Sequence, residues 1–157
     1  MDTLNLAGKI VLVVGSGISG IGAVRALVHA GADPILYDAN AEQRQEDVAA
    51  KLPPGMQVRI LLGVLPREVA EMVELVILSP GVPTDTEFVE SFRTRGIKIW
   101  GEIELAYRIG KGRVIGITGT NGKTTTTSLT GEIMAAHCRD VDVVGNIGNP
   151  YTLTALD

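Results

Sequence analysis

The sequence holds a single cysteine, Cys138, so no disulfide closes within the chain, and a lone thiol fits a reducing, cytoplasmic compartment. No uncharged apolar stretch approaches the ~18 residues that a membrane-crossing helix requires. The opening residues Met1-Asp2-Thr3-Leu4 lack a basic segment leading into an apolar one, so no secretory signal is visible. Basic blocks are missing too. Lys and Arg total 14 against 18 Asp and Glu, a net charge of −4, which argues against nucleic acid as a partner. Internal repeats and low-complexity segments are absent.

Apolar residues, by contrast, make up 45% of the 157 positions and charged residues 20%, a balance that excludes intrinsic disorder. A chain of this length buries ~70% of its unfolded surface and needs no covalent staples. Nineteen glycines without a collagen period mark turns and places where backbone approaches a ligand. A mean hydropathy of +0.24 then points to buried parallel strands.

Short apolar runs alternate with helical patterns. Lys9 to Val14 (KIVLVV) is β-branched and lacks period-2 alternation, as expected of a strand covered on both faces. Ile18 to Ala30 follows as a helix with Ile21, Val24, Leu27 and Val28 on one face and Gly31 behind it. Further strands are expected at Pro34–Tyr37, Gln57–Leu62, Leu75–Leu78 and Ile97–Trp100. Helices are expected at Ala41–Leu52, Arg67–Val73, Glu87–Arg95 and Glu102–Ile109. This order implies a parallel sheet with helices on both faces, five strands being complete by Trp100. After Gly110-Lys111-Gly112, which reads as a linker, come a strand at Val114–Thr118, a helix at Lys123–Ala136 and a strand at Val141–Val144. Two strands and one helix close no core of their own, so residues from about 112 read as the beginning of a larger domain that is cut off. Their open strand edges are expected to be partly disordered or to pair with a second copy.

Two glycine loops carry the chemistry. Gly15-Ser16-Gly17-Ile18-Ser19-Gly20 joins a strand to a helix in the G-x-G-x-x-G pattern. Gly15 permits the tight turn, Gly17 lets a diphosphate approach the backbone, and Gly20 lets helix and strand pack closely. The unpaired N–H groups and positive dipole end of that helix favour an anion. Asp38, 18 residues beyond Gly20, ends the second strand, where a carboxylate can accept hydrogen bonds from a ribose or a base. The pattern by itself says nucleoside diphosphate and leaves a dinucleotide open. The second loop runs Gly116-Ile117-Thr118-Gly119-Thr120-Asn121-Gly122-Lys123-Thr124-Thr125. Successive N–H groups form an anion nest, Lys123 adds a mobile positive charge, and a hydroxyl can hold magnesium. It is not a strict Walker A, because Ile117 stands where that motif has its first glycine. A simple dehydrogenase has no use for the second cradle, and a simple kinase none for the first.

The remaining polar residues read more plainly. His29 and His137 are helix-surface residues. Cys138 beside His137 is passive, because adjacent helical residues do not face each other. Trp100 and Tyr107 read as packing residues. Glu102 and Glu104 stand at a helix start, where negative charge suits the dipole. The mixed charges of Glu42 to Lys51 read as a solvated helix face.

Taken in order, the first glycine loop, Ser79-Pro80-Gly81-Val82, Gly101-Glu102-Ile103-Glu104-Leu105, Gly119-Thr120-Asn121-Gly122-Lys123-Thr124-Thr125 and Gly145-Asn146-Ile147-Gly148 resemble the Mur ligases of peptidoglycan synthesis. The likeness is to the branch that joins D-glutamate to UDP-N-acetylmuramoyl-L-alanine. It implies an α/β fold class: a Rossmann-like doubly wound parallel sheet binding the UDP substrate over 1–110, then the start of a P-loop-type α/β ATP-binding domain over 111–157. It implies a cytoplasmic, ATP- and Mg2+-dependent enzyme that phosphorylates a carboxylate and lets an amine displace the phosphate. By position, Gly15, Gly17, Ile18, Ser19, Gly20, Asp38, Gly81 and Asn146 would meet the UDP substrate. Gly119, Thr120, Asn121, Gly122, Lys123, Thr124 and Thr125 would hold ATP, with Lys123 catalytic and Thr124 on the metal. The family carries an arginine two residues after its uracil-binding aspartate; Asn40 stands there, with Arg44 a candidate substitute. Its later metal ligands, modified lysine and amino-acid domain have no counterpart here, so the chain reads as an N-terminal piece that does not ligate alone. The rival readings are a nucleotide- or NAD(H)-sensing module using only the first loop, and a P-loop phosphotransferase using only the second.

Overall fold

The computed structural model describes residues 5–145 and 150–155. Five strands, β1 (Ile10–Val14), β2 (Asp33–Asp38), β3 (Arg59–Leu62), β4 (Leu75–Leu78) and β5 (Lys98–Gly101), form one sheet in the order β3-β2-β1-β4-β5. Every pairing is parallel; Val13, for example, stands opposite Leu36 on one side and Ile77 on the other. Parallel neighbours require crossovers, and these are α1 (Ile18–His29), α2 (Gln45–Ala49), α3 (Arg67–Met72) and α4 (Glu87–Arg93), with α5 (Glu102–Ile109) after the last strand.

The unbroken apolar character of β1 follows from this burial. Leu12 and Val14 point with Ile35, Tyr37, Val76 and Leu78 toward Val69 and Val73 of the α3 segment and Val89 and Phe92 of α4. Val11 and Val13 point the other way, with Leu36 and Ile77, toward Val24 and Leu27 of α1, Val48 of α2 and Leu105 of α5. Each face removes a full row of side chains from water, worth about 1.5–3 kcal/mol for each large aliphatic chain. Strands β1 and β4 are neighbours although β2 and β3 lie between them in the chain. Their carboxyl ends therefore flank the switch point where open α/β sheets place ligands.

Three expected elements differ. The helix anticipated at Ala41–Leu52 shrinks to Gln45–Ala49. Ahead of it Asn40 Oδ1 accepts a hydrogen bond from the Glu42 N–H at 2.9 Å, and such local side-chain bonds compete with helix. Neither Val114–Thr118 nor Val141–Val144 forms a strand; only an isolated bridge at Val144 is present. A strand exists only as part of a ladder, and among the described residues nothing builds one beside 114–118. The helix α6 (Lys123–Ala135) does form where expected, yet buries none of its residues. Tyr107, expected to pack, is 52% exposed, whereas the Trp100 ring lies 4.7 Å beneath the Arg108 guanidinium.

A short helix that the sequence reading lacked, α7 (Tyr151–Thr154), packs on α1 and α5. Its Thr152 is fully buried, and the Thr152 N–H donates to Glu102 Oε1 at 2.8 Å. Glu102 thus serves the first turn of α7 from a buried position, beyond its place at the start of α5. Gly22 makes the approach possible, since a Cβ there would lie 2.6 Å from Thr152 Oγ1. Gly22→Ala is therefore expected to push α7 off α1 and cost about 1–3 kcal/mol, despite the ~1 kcal/mol that alanine gains over glycine inside a helix. Urea melts with hydrogen exchange at 151–154 check this; a stabilised variant with unchanged protection at α7 would contradict it.

Candidate nucleotide-binding site

The loop between β1 and α1 is shaped by two glycines that the protein itself demands. Gly15 has φ +104°, and a Cβ there would lie 2.8 Å from Ser79 Oγ at the end of β4. At Gly20 a Cβ would stand 1.8 Å from the Gly15 carbonyl oxygen, so α1 starts this close to β1 only with glycine. Gly17 is different. It has an ordinary φ of −76° as N-cap, and no protein atom lies within 4 Å of the Cβ it lacks. The open space beside it is room for a ligand. Behind it the N–H groups of Ile18, Ser19 and Gly20 make no hydrogen bond among the described residues. Ser19 is half-buried and Ile18 77% exposed, so both face the crevice mouth.

Asp38 ends β2, as expected, and is drawn to this loop, its oxygens already engaged. Oδ2 accepts from the Ser16 N–H at 2.9 Å and from Ser16 Oγ at 2.7 Å, and Oδ1 accepts from the Asn40 N–H at 3.0 Å. Gln43 reaches Ser16 Oγ from the other side, at 2.9 Å. Burial pushes the Asp38 carboxyl up, yet the bonds from Ser16, Asn40 and Gln43 together outweigh it and hold the group below its ordinary value. Ser16, itself buried, is the residue that the sequence reading passed over as a spacer. Its signal was a hydroxyl within a loop that otherwise favours glycine. Asn40 is spent in the local turn, and Arg44 lies 3.5 Å from Glu46. Gly81 sits in the turn closed by the Val82 N–H bond to the Ser79 carbonyl at 2.9 Å, beside Gly15. Asn146 lies outside the described residues.

In the second loop Gly119 has φ +152° and Gly122, the N-cap of α6, φ +74°. Both conformations favour glycine. Lys123 Nζ folds back to donate to the carbonyls of Gly119 and Thr120. Thr120, Asn121, Thr124 and Thr125 are exposed around it. Thr127 Oγ1 donates to the Lys123 carbonyl at 2.8 Å. Among the described residues no group of three or more His, Cys, Asp or Glu could hold a metal ion. His137 Nδ1 lies 2.9 Å from the Ile133 carbonyl and Cys138 is exposed, which leaves both outside either loop. No helix of the described residues is long and apolar enough to cross a membrane.

A doubly wound sheet with one glycine loop at its switch point and a second glycine-lysine-threonine loop downstream defines an α/β architecture of the kind that places ligands at strand ends. The family described as "Mur ligase MurD-like, N-terminal domain" matches residues 9–101, and "Mur ligase middle domain" matches 117–157. The chain belongs to the Mur ligase family, with a MurD-like N-terminal domain. It is 52% identical over 149 residues to the UDP-N-acetylmuramoylalanine–D-glutamate ligase of Lachnoclostridium phytofermentans, covering 95% of this chain and 33% of that one. It is 50% identical, over the same shares, to the ligase of that name from Lachnospira eligens. The chain therefore spans about a third of the length of the curated relatives it matches. A pseudomurein peptide ligase type C from Methanothermus fervidus shares the fold, with TM-score 0.52 and 20% identity over 82% of this chain and 26% of that one.

Because the Asp38 carboxyl is held low in the folded protein, it favours folding above the unfolded-chain value of about 3.9, and that contribution fades as pH falls through the folded value. Urea melts between about pH 3 and 7 are expected to show stability falling on the acid side, and a flatter profile in Asp38→Asn. Identical profiles would remove Asp38 from the account.

Proposed function

We propose that this chain forms the UDP-substrate site and the ATP-loop region of a ligase that adds D-glutamate to UDP-N-acetylmuramoyl-L-alanine. Residues 1–110 are assigned to the substrate-binding domain and 111–157 to the start of the ATP-binding domain. Support comes from the relatives' names and from one observation above others: a single chain carries two glycine loops, each opening a helix, α1 and α6. A sensor of NAD(H) would use only the first loop, and a phosphotransferase only the second.

On this reading the N–H groups of Ile18 and Ser19 receive the diphosphate of the UDP substrate in the space left open by Gly17. Asp38 holds the loop through Ser16 and offers its remaining acceptor capacity to the ribose or uracil, with Gly81 packing nearby, and Asn146, outside the described residues, is assigned to the muramoyl or diphosphate part. At the second loop Gly119 to Gly122 wrap the ATP phosphates, Thr125 extends the cradle, and Thr124 holds Mg2+. Lys123 leaves the loop carbonyls for the β- and γ-phosphates and offsets the charge that builds as the phosphoryl group moves. A substrate carboxylate oxygen attacks the γ-phosphorus and ADP departs. The amine nitrogen of D-glutamate then attacks the acyl carbon, phosphate departs, and the amine gives up a proton as the amide forms. A carboxylate needs this activation because its oxygen is a poor leaving group. D-Glutamate itself is assigned to the two-thirds of the relatives' length that lies outside this chain. The exposed Val114, Ile115, Leu129 and Ile133 are where a second copy would associate.

Calorimetric titration with UDP, NADH and Mg-ATP tests the assignment. UDP is expected to bind in the micromolar to millimolar range and ahead of NADH; preference for NADH would overturn it. Lys123→Ala is expected to abolish whatever ATP affinity the chain has and to leave UDP binding unchanged. Loss of both would mean that the loops are not separate sites.

A further inference from the structure

The first glycine loop lacks a positive charge of its own. Residues 15 to 20 include no basic side chain, and the Asp38 carboxylate is bonded to both the N–H and the hydroxyl of Ser16. A diphosphate received by the free N–H groups of α1 would feel that carboxylate at close range, where two like charges repel even when partly solvated. Something must offset it.

Lys51 is the cation that reaches the loop. Its Nζ donates to the Ser16 carbonyl at 3.4 Å, across 35 positions of sequence. The side chain is not delivered there by chance. Val48 is fully buried and Leu52 nearly so, which fixes the turn after α2 against the core on either side of residue 51. The helical path continues through that turn, with the Lys51 N–H donating to the Val48 carbonyl at 3.1 Å and the Leu52 N–H to the Ala49 carbonyl at 3.0 Å. None of the ion pairs among the described residues includes Lys51. Its ammonium therefore rests on a neutral carbonyl with donors to spare, and among the described residues it forms no ion pair.

We propose that Lys51 is a ligand-binding residue of the first loop, supplying to a nucleoside diphosphate the positive charge that the glycine motif omits. An ammonium on a flexible stem suits this role: it acts as a point charge that keeps one bond to Ser16 and turns another donor to a phosphate oxygen. The inference rests on the first loop being the UDP site, and it adds a residue that no phosphate-loop pattern contains.

The test is calorimetric binding of UDP and of uridine to the unaltered chain, to Lys51→Met and to Lys51→Arg, each at low and at high salt. Lys51→Met is expected to weaken UDP about tenfold and to leave uridine unchanged, with Lys51→Arg within about threefold of the unaltered chain. The advantage of UDP over uridine is expected to narrow in high salt for the unaltered chain and less so for Lys51→Met. Thermal melts of both variants should match the unaltered chain, because the side chain is exposed. UDP binding that is equally strong in Lys51→Met would overturn the role of Lys51 and leave the UDP site standing. Equal weakening of UDP and uridine would also overturn it, since the lysine would then be shaping the loop. An unaltered chain that binds no UDP would sink the site itself, and Lys51 with it.

Discussion

The first helix begins so close to the strand before it that a single carbon atom added at Gly20 would overlap the carbonyl oxygen of Gly15. The candidate site depends on that closeness. It brings the start of α1 up to the ends of β1 and β4, with N–H groups that make no hydrogen bond among the described residues. It also sets the turn in which Ser16 meets Asp38. The strand order supplies the crevice, because β1 and β4 are brought together only after the chain has wound away through β2 and β3 and crossed back. A helix start placed farther from the sheet would leave the same sequence pattern without a binding surface.

Charge around this loop is arranged in layers. The helix start offers partial positive charge, the ionised Asp38 sits directly behind it, and Lys51 stands at the rim. Asp38 is costly to place beside an anion site, but it orients Ser16 and so fixes the loop before any ligand arrives. A loop held by two hydrogen bonds to one carboxylate loses little further freedom on binding, which lowers the entropic cost of recognition. The arrangement exchanges some electrostatic attraction for a prepared shape, and a basic residue outside the motif restores part of the attraction.

Most of the sheet was legible because its signals are local. An apolar run without alternation, such as Lys9 to Val14, reads as a strand covered on both faces, and α5 occupies the residues its pattern marks, Glu102–Ile109. The glycine motif and Asp38 were likewise readable, since strand, turn and helix lie in sequence. What escaped was whatever depends on partners distant in the chain. Ser16 is a spacer in the motif and a hinge pin in the fold. Lys51 looks like one charge on a solvated face, and nothing in sequence says that it bends back 35 positions to the loop. Val114–Thr118 has strand composition and no ladder, which shows that β propensity is permission to pair and not a structure in itself.

The same dependence on distant partners explains α7. Four residues do not hold a helix in water, because nucleation is unfavourable and no turn is repeated enough to repay it. This one persists because three features from elsewhere converge on it: the missing side chain of Gly22, the buried carboxylate of Glu102, and the apolar faces of α1 and α5. The contact ties residues assigned to the second domain directly onto the helix whose start forms the first phosphate loop. Meanwhile α6, which follows the second phosphate loop, buries nothing. Among the described residues, the second segment is therefore anchored through α7 and not through α6. The packing at Gly22 thus joins the far end of the second segment to the same helix that the first glycine loop opens.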